Sequence, residues 1–517
     1  MRADNPKSRP YPLRSIVRSV ALGLALTALL AAPARAAELP VVVVPGLELA
    51  DLEALSQEGA VGLLVPDAGP DTSAAHALAS LERGKVRNSL LGGAAAGDRL
   101  VEAQFAQGPP RGNAIILALP RGGKQRNDRR YPIAVIGPGY HGLLTSTSTR
   151  IPGLVSVVDV APTALGKDDR LGSRESADPV AELVRLDRRI DDNRDAKAAF
   201  LLVSLALIVA VAVFLPTAVL AAFSAVLLAN LALGIAGATD VWVDVLVLVL
   251  FLAASLVFAR LPPLAHGLLL GGVIIAYLLA MGIDAEWVAF SPFGPTQNAR
   301  FYGLSNLLET LLLVPAFAGP YLLGATLGLW AFPPIALLAL VAVGGTSFGA
   351  DGGGVLVLLA GYAVLIATYH RLSWRAAVGG GAAALLVLGL ALAVGGHSHV
   401  TDAISSGPVG LAEDFWRRLE LSWLRATSSW GAGLLVFGGI LALALLTLRE
   451  RRPLQLAYLA ALAVSLLVND SPNDVVVAGL AGYLVLSTAP ALARPAAQPE
   501  RPDSPAPRAR TAPASSP

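Results

Sequence analysis

The chain contains no cysteine, which excludes disulfides, thiolate metal sites and a cysteine nucleophile. Charge is also scarce. Asp, Glu, Lys and Arg make up 15% of the residues, against about 25% in an average soluble domain. The net charge of +2 is too small to argue for nucleic acid or another polyanion as a partner. No Lys follows a glycine-rich loop in the P-loop manner, so nothing indicates nucleotide-driven transport. The first 197 residues hold His76 and His141 as their only histidines, which leaves few imidazoles for a metal site.

What the chain has instead is apolar length. Of its 517 residues, 55% are hydrophobic, and its mean hydropathy is +0.62. The character changes at Lys197–Ala198. Globular sequence precedes this point, and helix-length apolar runs follow it. With ~20 residues needed per crossing, eleven spans are expected. They lie near 198–216, 217–237, 240–259, 264–282, 302–326, 333–346, 354–370, 375–395, 430–448, 454–468 and 474–491. Placing residue 197 outside puts Arg260, Arg371, Arg375, Arg449, Arg451 and Arg452 on the inner side, in keeping with the positive-inside rule. Asp240, Asp284, Glu286, Asp351 and the 469–474 turn then fall outside. Residues 492–517 are rich in Pro, Ala and Arg and read as a disordered cytoplasmic tail.

The N-terminus (1–37) has the form of a secretory signal or N-terminal anchor. Arg2, Lys7, Arg9, Arg14 and Arg18 precede an apolar stretch from residue 20 to 32, and Ala34-Arg35-Ala36 offers a cleavage site. Either form places residues 38–197 outside the cytoplasm. The expected location is a bacterial cytoplasmic membrane, with membrane lipids as partners. Residues 167–197 form a charged connector, read as a solvated helical stalk entering the first span.

Residues 38–166 punctuate as an α/β domain. Apolar strands are expected at 39–45, 60–65, 113–119 and 131–137, with helices at 50–57 and 73–83. This alternation implies a mostly parallel sheet covered on both faces. The fold class is therefore an α/β extracytoplasmic domain joined to an all-α polytopic membrane domain.

Three stretches of this domain resemble the alkaline phosphatase and sulfatase superfamily. They are VVVVPGLELADLEAL, GAVGLLVPDAG, and YPIAVIGPGYHGLLTSTSTRIPGLVSVVDVAPTAL. The resemblance is to reduced domains of that superfamily fused to bacterial multi-span membrane proteins. In working members the first strand ends in a metal-binding Asp, and here Pro45-Gly46 stands in its place. The Asp-His-Gly motif survives only as Tyr140-His141-Gly142. The superfamily nucleophile is a Ser or Thr after the second strand, which makes Thr72 and Ser73 the catalytic candidates. Without a metal or base to activate the hydroxyl, both read instead as a helix N-cap assisted by Asp71. His141 reads as a loop residue. The resemblance also implies that Asp159 and Thr163 order the turn before the connector. No metal and no cofactor is expected, and the domain is expected to be non-catalytic.

Three polar segments interrupt the apolar runs: SPFGPTQNARFYGLSNLLE (291–309), GGTSFGADGGG (344–354) and NDSPND (469–474). All three are expected on the same side as the α/β domain. Arg300, Asn306, Glu309, Asp351, Asn469 and Asp470 are therefore the candidate substrate-binding residues. Asn306 and Glu309 can share a helix face, and a carboxylate inside a span should face protein rather than lipid. In the 396–430 loop, charged residues alternate with Phe415, Trp416 and Trp423, as in an interfacial helix. His397 and His399 read as solvated loop residues.

The leading expectation is a multi-pass envelope protein that binds or moves an anionic or lipid-linked substrate. One alternative is an outer-leaflet phospho- or glycosyl-transferase using Asp240, Asp244 or Asp351 as base. Another is a scaffold recruiting envelope enzymes through residues 38–197.

Overall fold

The computed structural model describes residues 38–93, 97–167, 170–295, 301–345, 348–349, 351–369, 407–489 and 492. The expected span at 375–395, the N-terminal segment, the C-terminal tail and the His397/His399 pair lie outside the described residues.

The N-terminal part is a mixed eight-stranded sheet rather than a mostly parallel one. Its order is β10-β8-β2-β7-β5-β1-β4, with β9 also paired to β2. The central strands are β1 (Val41–Val43), β2 (Ala60–Val65), β5 (Ala114–Leu117), β7 (Tyr131–Ile136) and β8 (Gly142–Ser146). The edges and side branch are β4 (Gln104–Phe105), β9 (Leu154–Ser156) and β10 (Leu171–Arg174). A separate pair joins β3 (Asp71–Thr72) to β6 (Gln125–Arg126). The departure from the parallel expectation lies at the edge strand β10, antiparallel to β8, and above all in β7. It runs antiparallel to both β2 and β5 because no crossover helix separates it from β5.

Side chains alternate across the sheet, as the pleat requires. Val41, Val43, Ala60 and Leu64 face α1 (Ala74–Arg83) and α2 (Val160–Ala164), meeting Ala77, Leu81, Val160 and Ala164. Val42, Val44, Val61 and Leu63 face the other way, toward Leu183, Ile190, Ala289, Phe290 and Phe301. The second face is thus covered by residues of the membrane-side half of the chain.

Leu183 and Ile190 belong to α3 (Pro179–Phe214), a helix of 36 residues and therefore about 54 Å long. Asp178 caps it by accepting the Ala181 N–H at 3.0 Å, and Pro179 fits the first turn. One buried stripe runs its length through Leu183, Ile190, Asn193, Ala196, Phe200, Ser204, Ile208 and Ala212. The change of composition at Lys197–Ala198 therefore falls inside one continuous helix. Residues 186–197 are not a solvated stalk: one face is wedged between the sheet and the bundle. Asn193 donates to the Phe290 carbonyl at 2.8 Å, Arg189 to that of Gly234 at 2.8 Å, and Lys197 to that of Gly294 at 3.1 Å.

Among the described residues, seven helices are long and apolar enough to cross a membrane. They are α3, α4 (Pro216–Ala236), α5 (Val241–Phe258), α6 (Pro263–Ile283), α7 (Asn306–Leu327), α9 (Gly352–Tyr369) and α11 (Trp430–Arg449). The apolar helices α8 (Phe332–Gly344), α12 (Pro453–Val468) and α13 (Pro472–Thr488) are shorter. An amphipathic helix, α10 (Gly407–Ala426), precedes α11. The chain alternates direction through these helices. Consequently the starts of α7, α9 and α13 and the end of α12 gather at the sheet side. Arg150 of the sheet domain stacks over Tyr302, just before α7, at 4.0 Å from the ring centre.

Candidate functional site

The sheet-domain candidates part company. Ser73 is the N-cap of α1, its Oγ accepting the His76 N–H at 3.2 Å, as expected. Thr72 is not a cap. It lies buried in β3, and its hydroxyl donates to Asp67 Oδ2 at 3.3 Å. Asp71 does not assist the cap either; it pairs with Lys124 at 2.9 Å. Asp67 is fully buried and also receives the Ala68 N–H at 2.9 Å and His76 Nδ1. Burial pushes the Asp67 carboxyl up, and His76, the Ala68 amide and Thr72 pull it down without cancelling the rise. The carboxylate sits between hydroxyl and imidazole, so the imidazole makes no bond to the hydroxyl it would have to deprotonate. Among the described residues, no three His, Cys, Asp or Glu side chains come together as a metal-holding group. A two-metal phosphatase centre does not fit these residues. His141 is an exposed loop residue whose N–H donates to Ser173 Oγ at 3.2 Å.

Asp159 is fully buried. It accepts the Ser146 hydroxyl at 2.5 Å and both the Ser148 amide and hydroxyl, at 3.1 and 2.7 Å. Thr163 donates to the Asp159 carbonyl at 2.8 Å and accepts the Leu171 N–H at 3.1 Å. Together they tie β8, α2 and β10 into one corner.

The membrane-side candidates converge. Ser305 caps α7 by accepting the Leu308 N–H at 3.1 Å, which places Asn306 and Glu309 in the first turn. Asn306 Nδ2 donates to Asp470 Oδ1 at 3.0 Å, across 164 residues of chain. Asp351 accepts the Gly353 and Gly354 N–H groups at 2.9 and 3.3 Å, at the start of α9. The glycines there permit close approach. A Cβ on Gly354 would lie 2.4 Å from Glu309 Oε1, and one on Gly353 would lie 3.3 Å from Asn469 Oδ1. Asn469 is buried at the end of α12 and donates to Ser465 Oγ at 2.9 Å. Glu309 is buried, and a narrow cavity beside it is lined by Ile274, Tyr277, Leu312, Ala342 and Leu358. Five of the six candidates thus meet at one end of the bundle. The sixth, Arg300, lies outside the described residues.

The cations of this site come from α10. Asp414, Arg418, Ser422 and Arg425 form one stripe at helical spacing. Arg425 donates to the Asp470 carbonyl at 2.5 Å and to Ser471 Oγ at 2.7 Å, and it pairs with Asp470 Oδ1 at 3.0 Å. Ser422 donates to the Asn469 carbonyl at 2.8 Å. Arg418 donates to the Val468 carbonyl at 3.4 Å and pairs with Asp414 at 2.8 Å. Burial opposes the charge on Arg418, but Asp414, Asp351 and Asp470 more than offset it, leaving its pKa above the usual arginine value. This stripe completes the ends of α12 by supplying donors to carbonyls that have none within the helix. The sequence signal for it was present as a spacing of four, four and three, but it was overshadowed by the aromatic residues on the same helix.

Asp240 caps α5 by accepting the Trp242 and Val243 N–H groups at 2.8 and 3.2 Å. Asp244, one turn further on, is fully buried, and neither carboxylate oxygen has a hydrogen-bond partner. Asp240 and Asp351 are therefore both engaged in capping.

No family model, curated protein or solved structure matches this chain.

Proposed function

We propose that this is a multi-pass membrane protein that binds the polar headgroup of a lipid-linked substrate where the helix bundle meets the sheet domain. The observation that carries this reading is the contact of Asn306 and Arg425 with the same Asp470 carboxylate. That contact joins the start of α7, the α12–α13 turn and α10 at the mouth of an apolar bundle. The charge balance favours one kind of headgroup. Among the described residues, the carboxylates of Glu309, Asp351, Asp414, Asp470 and Asp474 outnumber the cations Arg418, Arg425 and Lys197. A bare anion would be poorly held there, whereas carboxylates and amides together suit a headgroup rich in hydroxyl donors. The sheet domain, phosphatase-like in its motifs, acts in this reading as a non-catalytic cover on the site. In the transferase alternative, two of the three candidate bases, Asp240 and Asp351, are each occupied with two backbone donors, which leaves Asp244.

The test is lipid retention by the purified full-length protein in nanodiscs, measured by native mass spectrometry. The probes are a polyprenyl phosphate, a polyprenyl-phosphate-linked hexose and phosphatidylglycerol. The expected result is preferential retention of the hexose-bearing lipid, lost in the Asn306→Ala/Asp470→Ala variant while its melting profile stays cooperative. Equal retention by that variant and the wild type sinks the reading.

A further inference from the structure

Helix α10 buries a polar stripe together with Leu421 and Ala426, and exposes tryptophans beside Glu413, Arg417 and Glu420. A helix on a water-soluble surface turns its apolar stripe inward and its charges outward. Here Arg418, Ser422 and Arg425 donate to the carbonyls of Val468, Asn469 and Asp470 at the α12–α13 turn, and Asp414 pairs with Arg418. The opposite face carries Val409, Trp416, Leu419 and Trp423, at spacings of seven, three and four residues. Val409, Trp416 and Trp423 are 71%, 65% and 60% exposed. The inner polar groups are paired, whereas the exposed tryptophans would be poorly placed in water.

The apolar face does not stop at the end of the helix. The Trp423 ring packs edge-on against Phe437 of α11, with centres 5.9 Å apart. Phe437 is itself half exposed, and Leu434 and Leu441 on the outer side of the same span are more exposed still. Only 17% of the apolar stretch of α11 is buried within the protein, which leaves most of this span's surface open for lipid. Trp430, at the junction of the two helices, is 96% exposed. The aromatic face of α10 is thus the continuation of a lipid-facing flank, turned from the span axis onto the membrane plane.

We propose that the outer face of α10 is seated in the boundary between lipid headgroups and acyl chains, on the same side of the bundle as the sheet domain. Tryptophan is the residue type best suited to that depth, since its apolar ring and N–H need different surroundings. The inner stripe of the same helix holds Asn469 and Asp470 in place. The candidate site is therefore closed toward the bilayer by an element whose other side is lipid, which gives a lipid-linked substrate a lateral approach. This last step rests on the headgroup-binding reading; the lipid seat does not.

The chain's lack of cysteine makes it its own background for site-directed spin labelling. Nitroxides are placed singly at Trp416→Cys and Trp423→Cys in the full-length protein. The protein is reconstituted in phosphatidylethanolamine/phosphatidylglycerol liposomes. Leu441→Cys on α11 serves as the lipid reference and Glu53→Cys on the sheet domain as the aqueous one. Labels at 416 and 423 are expected to collide with oxygen more often than with an aqueous nickel chelate, as at 441 and opposite to 53. A water-like profile overturns the proposal. So do low collision rates with both relaxants combined with dipolar broadening, the signature of a second copy packed on this face. A lipid profile with no lipid retention would remove the headgroup reading and leave the seat standing. Retention with a water-like profile would do the reverse.

Discussion

The buried carboxyl group of Asp159 carries two opposing influences. Burial raises its pKa, and the Ser146 and Ser148 donors lower it by less. The net rise sets the sign of its contribution to stability. A carboxyl whose folded pKa lies above its unfolded value favours the folded state most below the unfolded value, and this contribution is lost as pH rises through the folded pKa. Asp159→Asn removes the titration. The stability of the wild type relative to Asp159→Asn is therefore expected to fall as pH rises from about 4 toward neutrality. Thermal unfolding of the two full-length proteins across that range checks the sign, and a gap that widens with pH would contradict it. Residues of this kind show how little of a site is visible one position at a time. Asp159 stood out through the resemblance, whereas Asp67, in the turn just after β2, did not, because its partners Thr72 and His76 only face it once β2 and α1 are packed.

Among the elements, α3 carries the heaviest mechanical duty. Arg130, just before β7, has a side chain only 1% exposed and holds the helix by pairs to Asp187 and Asp191 at 2.6 and 2.9 Å. A second donor bond reaches the Asp187 carbonyl at 3.0 Å. The two aspartates are partly exposed, so solvent screens the pairs, but the guanidinium is not screened on its own side. Arg130→Ala is expected to cost roughly 2–3 kcal/mol, read as a lowered melting temperature of the full-length protein. A change within error would mean that the helix is held by its apolar stripe alone. Seven of the expected spans and the strands β1, β2, β5 and β7 were legible as elements because each is a run of one periodicity. The direction of β7 was not, since an apolar run of six residues reads the same whether its neighbours are parallel or antiparallel. Nor was the continuity of α3, because its charged first half and apolar second half look like separate segments while sharing one buried stripe.

At the scale of the whole molecule, the sheet domain and the bundle share a core. Ala289, Phe290 and Phe301 lie beyond the first four spans in the chain, yet they are buried against the sheet together with Leu183 and Ile190. Residues 38–197 expressed alone would expose the surface that Ala289, Phe290 and Phe301 cover. They are expected to bind a hydrophobic dye and to unfold with poor cooperativity, in contrast to the full-length protein. A monodisperse, dye-silent fragment would show that the covering residues contribute nothing to the domain's stability. It would also restore the independent scaffold as a workable reading.

Composition and periodicity, acting locally, determined that this chain has an α/β part followed by apolar helices, because a span or a strand is a property of a few consecutive residues. They also determined which polar residues would have to avoid lipid. Tertiary structure decided which of those residues meet. Asn306 and Asp470 are 164 residues apart, and no local pattern relates them. Their contact exists because α7 and α12 bring their ends to one level, and because α10 turns its charged stripe inward to complete the carbonyls that α12 leaves open.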